Sequence, residues 1–470
     1  MEKKFEFERK LDLKLILSVI AAGLMSFTGV VVETSMNVTF PTLMKEFGVE
    51  TAMVQWITTG YLLVLSVIIP LSSFLKKRFR MKQLFVFAIG IFIIGTVLCM
   101  LAPTFALLLA GRLLQGVGTG IALPLMFNIV LEQAPVEKMG FMIGIASLVT
   151  AIAPAVGPSF GGLVVNQFGW RMIFAFLLPM LILSAVLGIY AIRQSSQTQR
   201  VTFDLPGYLF LVLCFVSFIF AINFASGCGW VSLQVTGLLL LSIAALVLFC
   251  IRAGKIDRPL INISVFRTGR FTFSVLYLIL IQFICLGMGF LLPNFSQLVS
   301  GESALTAGCI LLPGCIIGAI LNPFTGKMLD KYGAALPILI GAVSVLISSI
   351  LFAFFVQKAE TASLTAIYIF FAVGQGFTVG NIMTNGLRNL PGELNADGNA
   401  VFSTFQQLAG AMGTAVISTV VAAAQAKLPE NMVAGTMNGT QSAFILLLVA
   451  AVVLVICACK AVLPVQKPVA

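Results

Sequence analysis

Two ionisable side chains stand inside long apolar stretches of this chain and are the residues best placed to do chemistry. They are Glu33, in "GVVVETSMNVTFP" (29–41), and Arg112, in "GRLLQGVGTG" (111–120). A charge in hydrocarbon is expensive unless it is paired or lines a wet cavity. Burial favours the neutral form of a carboxyl group and a nearby arginine favours the carboxylate, so a change in their separation or hydration releases or captures a proton. Structural alternatives exist for both residues. Glu33 could snorkel to the headgroups, and Arg112 could be a tether that bonds several backbone carbonyls without moving anything.

Other chemistries are poorly represented. Histidine is absent, which removes the commonest general base and metal ligand. The nine cysteines form no CxxC pair and lie mostly in apolar runs, so they read as small core residues and not as disulfides or metal ligands; no metal site is expected. No GxxxxGK[ST] loop occurs, which argues against ATP binding of the usual kind. No cofactor is expected; uphill work would draw on an ion gradient, here a proton gradient. The net charge of +11 does not call for nucleic acid, because the basic residues sit in short clusters between apolar runs.

These residues need an intramembrane scaffold. The chain has 470 residues, 59% hydrophobic and 10% charged, with apolar runs that repeatedly reach about 20 residues, the length that crosses a bilayer. The expected fold is an all-α polytopic membrane protein of about fourteen spans, near 15–40, 54–75, 84–102, 104–131, 139–164, 170–192, 206–225, 231–251, 271–294, 303–325, 335–356, 363–388, 398–424 and 440–462. The N-terminal "MEKKFEFERKLDLK" precedes a first run too long, and without a cleavage site, to be a signal peptide. With the N-terminus cytoplasmic, the only lysines and arginines in outward loops are Lys45, Arg171, Lys358 and Lys427, so both termini are expected inside a cell membrane. Glu33 then lies eight residues before Pro41 and Arg112 nine residues after Pro103. Both fall roughly 12 Å below the outer boundary.

A weak internal repeat divides the chain. The expected segments are a cytoplasmic N-terminus (1–14), a six-helix half (15–193), two inserted helices (194–255), a second six-helix half (256–463) and a cytoplasmic tail (464–470). The loop "GKMLDKYG" (326–333) falls where "SSFLKKRFRMKQL" (72–84) follows span two. "LLQGVGTG" in span four recurs as "AVGQGFTVG" in span twelve, which aligns Gln115 and Gly116 with Gln375 and Gly376. Halves related in this way are what a rocking transporter is built from. Glycine is dense in spans four and five, above all in "GPSFGG" (157–162), which lets helices approach closely and slide or bend.

Together these stretches resemble the major facilitator superfamily, in its fourteen-helix drug:proton antiporter family of the multidrug and lincosamide efflux kind. "GRLLQGVGTG" resembles motif B, Gly144 with "APAVGPSFGG" resembles the antiporter motif C, and "VVETSMNVTFP" is similar to the first-span motif. The resemblance covers essentially the whole chain. It implies that Arg112, with Gln115 and Gly116, is the motif B element linked to proton movement. It also implies that Gly144, Gly157, Pro158, Gly161 and Gly162 belong to a bend that seals the cavity. Three departures stand out. The usual first-span acid aligns with Val32, so Glu33 is displaced by one residue, about 100° around the helix. Motif A is degraded in the first half, where Lys77 and Arg80 stand at its Asp and Gly positions, and is better kept as Gly326, Asp330, Lys331 and Gly333, an expected gate. Ala153 replaces a glycine of motif C.

The expected function is proton-coupled efflux of lipophilic, monocationic or neutral drugs or amphiphiles by alternating access, with Glu33 and Arg112 as the coupling pair. Small lipophilic compounds, protons and the bilayer are the expected partners, nucleic acid is not, and the protein is expected to be a monomer. A single intramembrane acid disfavours dications, while 40 phenylalanines and 18 methionines suit apolar cargo. Candidate cavity residues are Asn37, Gln55, Trp56, Tyr61, Asn128, Gln282, Asn294, Asn322, Asn381 and Asn385, chosen as polar or aromatic groups within or at the ends of spans. An uptake symporter or facilitator for a metabolite is the alternative, which motif C argues against. A membrane-embedded enzyme is more remote, because clustered acids, histidines and a large extramembrane lobe are all missing.

Overall fold

The computed structural model describes residues 11–462 apart from 50, 55, 196, 199–201, 257, 258, 303 and 429. Gln55 and the expected tail 464–470 therefore lie outside the described residues. Among the described residues all regular structure is helical, and fourteen helices are long and apolar enough to cross a membrane. Helix is the form such sequences must take, since in hydrocarbon every backbone N–H and C=O has to be satisfied within the segment.

The spans that position the candidate site are the first (Leu13–Thr39), second (Trp56–Arg78), third (Met81–Met100), fourth (Phe105–Gln133), fifth (Met139–Phe168) and sixth (Arg171–Ala191). Their ends carry ordinary stop signals. Asp12 Oδ1 accepts from Leu15 N at 2.9 Å and opens span one; Thr104 Oγ1 accepts from Leu107 N and opens span four. Gly169, at φ 85°, separates spans five and six in a conformation that glycine adopts without strain.

The chain divides into two compact units, one of residues 1–142, 149–216 and 244–262, the other of residues 143–148, 217–243 and 263–470. Within the first, span four packs on spans one, two and three, and span six packs on one and three. The second unit repeats this pattern. Span twelve (Thr361–Arg388) packs on nine (Gly269–Leu298), ten (Leu312–Tyr332) and eleven (Ala335–Phe355), and span fourteen (Met432–Val462) packs on nine and eleven. The crossing of spans three and four is drawn in by facing glycines: a Cβ on Gly95 would stand 2.7 Å from the Gly111 carbonyl, and one on Gly111 2.8 Å from the Gly95 carbonyl. Gly341 and Gly374 repeat this crossing between spans eleven and twelve, at 2.7 and 2.8 Å.

Several sequence-based boundaries need correction. Pro41 does not end the helical run of span one, because a further helix, Phe40–Phe47, follows it directly with Pro41 in its first turn, where proline is tolerated. "GKMLDKYG" is expected as a loop and span two is expected to end near 75, yet the helix runs through Tyr332 in the one and through Arg78 in the other. Their charges sit at the helix ends, where ion pairs and solvent hold them. Span fourteen begins at Met432 rather than 440, since its polar start is covered by span thirteen (Asn395–Lys427). A Cβ on Gly435 or Gly439 would stand 2.9 Å from Gln425 Cα or Val421 Cα respectively.

Candidate functional site

Arg112 is fully buried in span four. Its Nη1 donates to Gln115 Oε1 at 2.8 Å, its Nε to the Ile57 carbonyl of span two at 3.4 Å, and its guanidinium lies over the Tyr61 ring, 4.3 Å from the centroid. Gln115 Nε2 donates in turn to Thr96 Oγ1 of span three at 2.9 Å. The spacing of motif B explains the cluster: Arg112 and Gln115, three apart, share a helix face, while the flanking Gly111 and Gly116 let the neighbouring spans close in. A Cβ on Gly116 would stand 3.1 Å from the Tyr61 carbonyl. Arg112 Nη2 is buried without a hydrogen-bond partner, so the cluster fixes the cation and leaves one of its donors unspent.

Glu33 is half-buried on span one, within electrostatic range of the Arg112 charge. Among the described residues no ion pair joins Glu33 to Arg112. The two expected partners are thus brought together electrostatically without being locked. Tyr61 ties the Arg112 cluster to span one: its Oη donates to the Gly29 carbonyl at 3.1 Å, one turn before Glu33, and lies 2.8 Å from Thr119 Oγ1, whose proton it can accept.

The far side of the Glu33 turn is held by motif C. Ser35 Oγ donates to the Gly157 carbonyl at 2.7 Å. A Cβ on Gly157 would meet Thr34 Oγ1 at 1.7 Å, and one on Gly161 would meet Ser35 Cα at 2.9 Å. These two glycines make the seam between spans five and one. Gly162 has open space beyond Val38 at 3.9 Å, and Pro158 is exposed. Gly144 lies apart, grouped with the second unit, where a Cβ would meet the Asn322 carbonyl at 2.5 Å.

Each unit also has an ion pair between the basic ends of its second and fourth spans, with the charges exchanged. In the first, Lys76 pairs with Glu132, which also accepts from Ser195 Oγ; in the second, Arg388 Nη2 donates to Asp330 Oδ1 at 2.6 Å. Lys331 lies over the Tyr332 ring at 5.0 Å, Gly326 is buried, and Gly333 at φ 83° ends the helix. At the opposite end of the first unit, Glu46 accepts from Trp170 Nε1 and from Arg171 Nη1, both at 2.7 Å, and Arg171 Nη2 donates to the Ala102 carbonyl at 2.8 Å. Burial opposes the Glu46 charge, but the Trp170 and Arg171 donors outweigh it and hold the carboxyl below the usual range.

The cavity candidates fall in both units. Tyr61 is fully buried under Arg112. Asn37 is exposed and accepts from Thr58 Oγ1 at 2.9 Å; Trp56 is exposed and Asn128 buried. In the second unit, Asn294, Asn322 and Asn381 donate to carbonyls one turn back on their own helices, at 3.3, 3.3 and 2.8 Å. Asn385 bonds Ser274 Oγ and the Ala461 carbonyl, and Gln282 is buried. Sequence reading missed Thr96 and Thr119, which hold the cluster, and the buried Asp397 in the first turn of span thirteen. Thr119 stands within the motif B stretch, but a hydroxyl carries no signal until its partner helix is known.

Spans one to four and six, with a buried arginine on the fourth, share their packing pattern with spans nine to twelve and fourteen, and the comparisons with known proteins make the chain a polytopic membrane transporter. The family model for the Major Facilitator Superfamily matches residues 21–414, and the chain belongs to that family. It is similar to the lincomycin resistance protein LmrB of Listeria monocytogenes, with 35% identity covering 94% of this chain and 96% of that one. LmrB of Bacillus subtilis is 34% identical, covering 93% of each chain. Among solved structures, the human organic anion transporter MFSD10 (TETRAN) superposes with a TM-score of 0.64 at 13% identity, covering 94% of this chain and 99% of that one, which is a likeness of fold.

Proposed function

We propose that the protein exports lipophilic drugs or amphiphiles, monocationic or neutral, in exchange for protons, with Glu33 as the proton carrier and Arg112 as its electrostatic partner. The observation that carries this reading is the Glu33–Arg112 arrangement: a buried arginine cluster that bonds through Tyr61 to the Gly29 carbonyl one turn before Glu33, with no ion pair between Glu33 and Arg112 among the described residues. A locked pair would hold its charge state through the cycle. A loose one changes it when hydration or separation changes. Substrate that favours one protonation state of Glu33 over the other supplies the differential binding that coupling requires. The halves 15–193 and 256–463 would alternate access about the inserted pair, the basic helix ends and both termini would face the cytoplasm, and the proton gradient would be the energy source of a monomer without cofactor. The names of the lincomycin resistance relatives support the drug class.

The test is uptake of lincomycin and of a panel of lipophilic fluorescent monocations into inverted vesicles containing the protein, with a pH gradient imposed and then collapsed by an ionophore. Gradient-dependent uptake that stops on collapse is expected. Uptake indifferent to the gradient, or no uptake of any compound, overturns the reading.

A further inference from the structure

Tyr61, on span two, contacts both the Glu33 helix and the Arg112 helix. Its ring supports the Arg112 guanidinium at 4.3 Å, its hydroxyl donates to the Gly29 carbonyl at 3.1 Å, and the same hydroxyl lies 2.8 Å from Thr119 Oγ1. The linkage is short and tightly packed. A Cβ on Gly29 would stand 2.4 Å from Thr119 Oγ1, so spans one and four meet at this point with no room for another atom. Gly29 and Glu33 are four residues apart and occupy the same face of span one, one above the other.

We infer that Tyr61 is a positioning residue for coupling: a strut between the Glu33 helix and Arg112 that sets the distance between the acid and the cation. The inference rests on the coupling reading above. Arg112 is otherwise held by Gln115 and the Ile57 carbonyl, on spans four and two, and neither contact reaches span one. Only the Tyr61 hydroxyl carries the arginine cluster across to the Glu33 helix by a hydrogen bond among the described residues. The ionisable groups that face this point are Glu33 from span one, Cys99 from span three and Arg112 from span four; span five contributes none between Met139 and Phe168. Tyr61 therefore acts through Glu33 and Arg112, and no substrate contact is assigned to it.

Two variants separate the bond to span one from the contact with span four while keeping the packing. Tyr61→Phe keeps the ring under Arg112 and deletes the hydroxyl; Thr119→Val deletes the partner hydroxyl and keeps the volume. Lincomycin uptake into inverted vesicles is measured across a pH series, with Glu33→Gln in parallel and thermal unfolding in detergent as a folding control. Tyr61→Phe is expected to move the pH of half-maximal uptake by about 0.7 unit, roughly fivefold in proton affinity, the equivalent of one ordinary hydrogen bond, and Thr119→Val, which leaves the bond to Gly29, to move it less. KM for lincomycin is expected to stay within about twofold, because only an interaction felt during turnover is lost. A purely structural tyrosine would lower the unfolding temperature and leave the pH profile in place. If Tyr61→Phe keeps the wild-type pH profile, or Thr119→Val moves it as far, while Glu33→Gln abolishes it, the strut is refuted and the coupling reading stands. If Glu33→Gln itself keeps the wild-type profile, the coupling reading falls and the strut with it.

Discussion

The seam between spans five and one yields a graded set of substitutions whose order follows from single distances. Gly161→Ala places a methyl 2.9 Å from Ser35 Cα, from its Cβ and from its carbonyl oxygen. Two of these atoms are backbone and cannot turn aside, so the helices must part by roughly half an ångström. Overpacking of this kind costs about 1–3 kcal/mol, and the alanine regains about 1 kcal/mol in helix propensity. The separation also strains the Ser35 to Gly157 hydrogen bond of 2.7 Å, so a net loss of about 1–2 kcal/mol is expected. Gly157→Ala meets Thr34 Oγ1 at 1.7 Å, a side-chain atom, so adding Thr34→Ala recovers part of its loss. Gly162→Ala meets only Val38 Cγ1 at 3.9 Å, an ordinary contact, and is expected to be neutral or up to about 1 kcal/mol stabilising. Thermal unfolding of the purified variants in one detergent reads the order directly, and vesicle uptake reports whether the seam also guards function. Equal damage from Gly162→Ala and Gly161→Ala would refute the packing argument, as would failure of Thr34→Ala to help Gly157→Ala.

Three further outcomes follow from other contacts. Glu46→Gln should lower the unfolding temperature at neutral pH. The deficit should shrink as the pH falls through the carboxyl's range, because a carboxylate held below its ordinary range stabilises only above it; a deficit unchanged down to acid pH would exclude the Trp170 and Arg171 donors as the cause. Asp330→Arg sets like charges together at the basic end of the second unit and should cost about 1 kcal/mol, with Arg388→Asp added in the same chain restoring most of it in a double-mutant cycle. Arg112→Lys keeps the charge but loses the stacked plane over Tyr61 and the fixed bonds to Ile57 and Gln115, so uptake should fall by roughly tenfold at unchanged expression, and full activity would show that a point charge suffices.

Much of this molecule is legible in its sequence because a bilayer leaves few options. Apolar length and charge breaks locate fourteen spans, and the rarity of intramembrane charge singles out Glu33 and Arg112, which the fold places within each other's field. Boundaries were missed where helix continues through polar residues. The start of span fourteen is hidden against span thirteen, and the "GKMLDKYG" charges cap a helix instead of leaving it. Side-chain roles were harder to read, since a tyrosine in a span looks alike whether it lines a cavity or supports an arginine; only the meeting of spans one, two and four makes Tyr61 a support. The glycines of motif C look equivalent as letters, yet Gly157 and Gly161 face span one while Gly162 faces open space.

The central claim, that Glu33 carries the exchanged proton, is tested most directly by counting protons. Reconstituted wild-type protein and Glu33→Gln are given lincomycin in lightly buffered vesicles, and proton movement is followed with a pH-sensitive dye beside drug uptake. The account predicts drug-linked proton movement in the wild type and none in Glu33→Gln at equal membrane expression. Drug-linked proton movement of wild-type size in Glu33→Gln would contradict it.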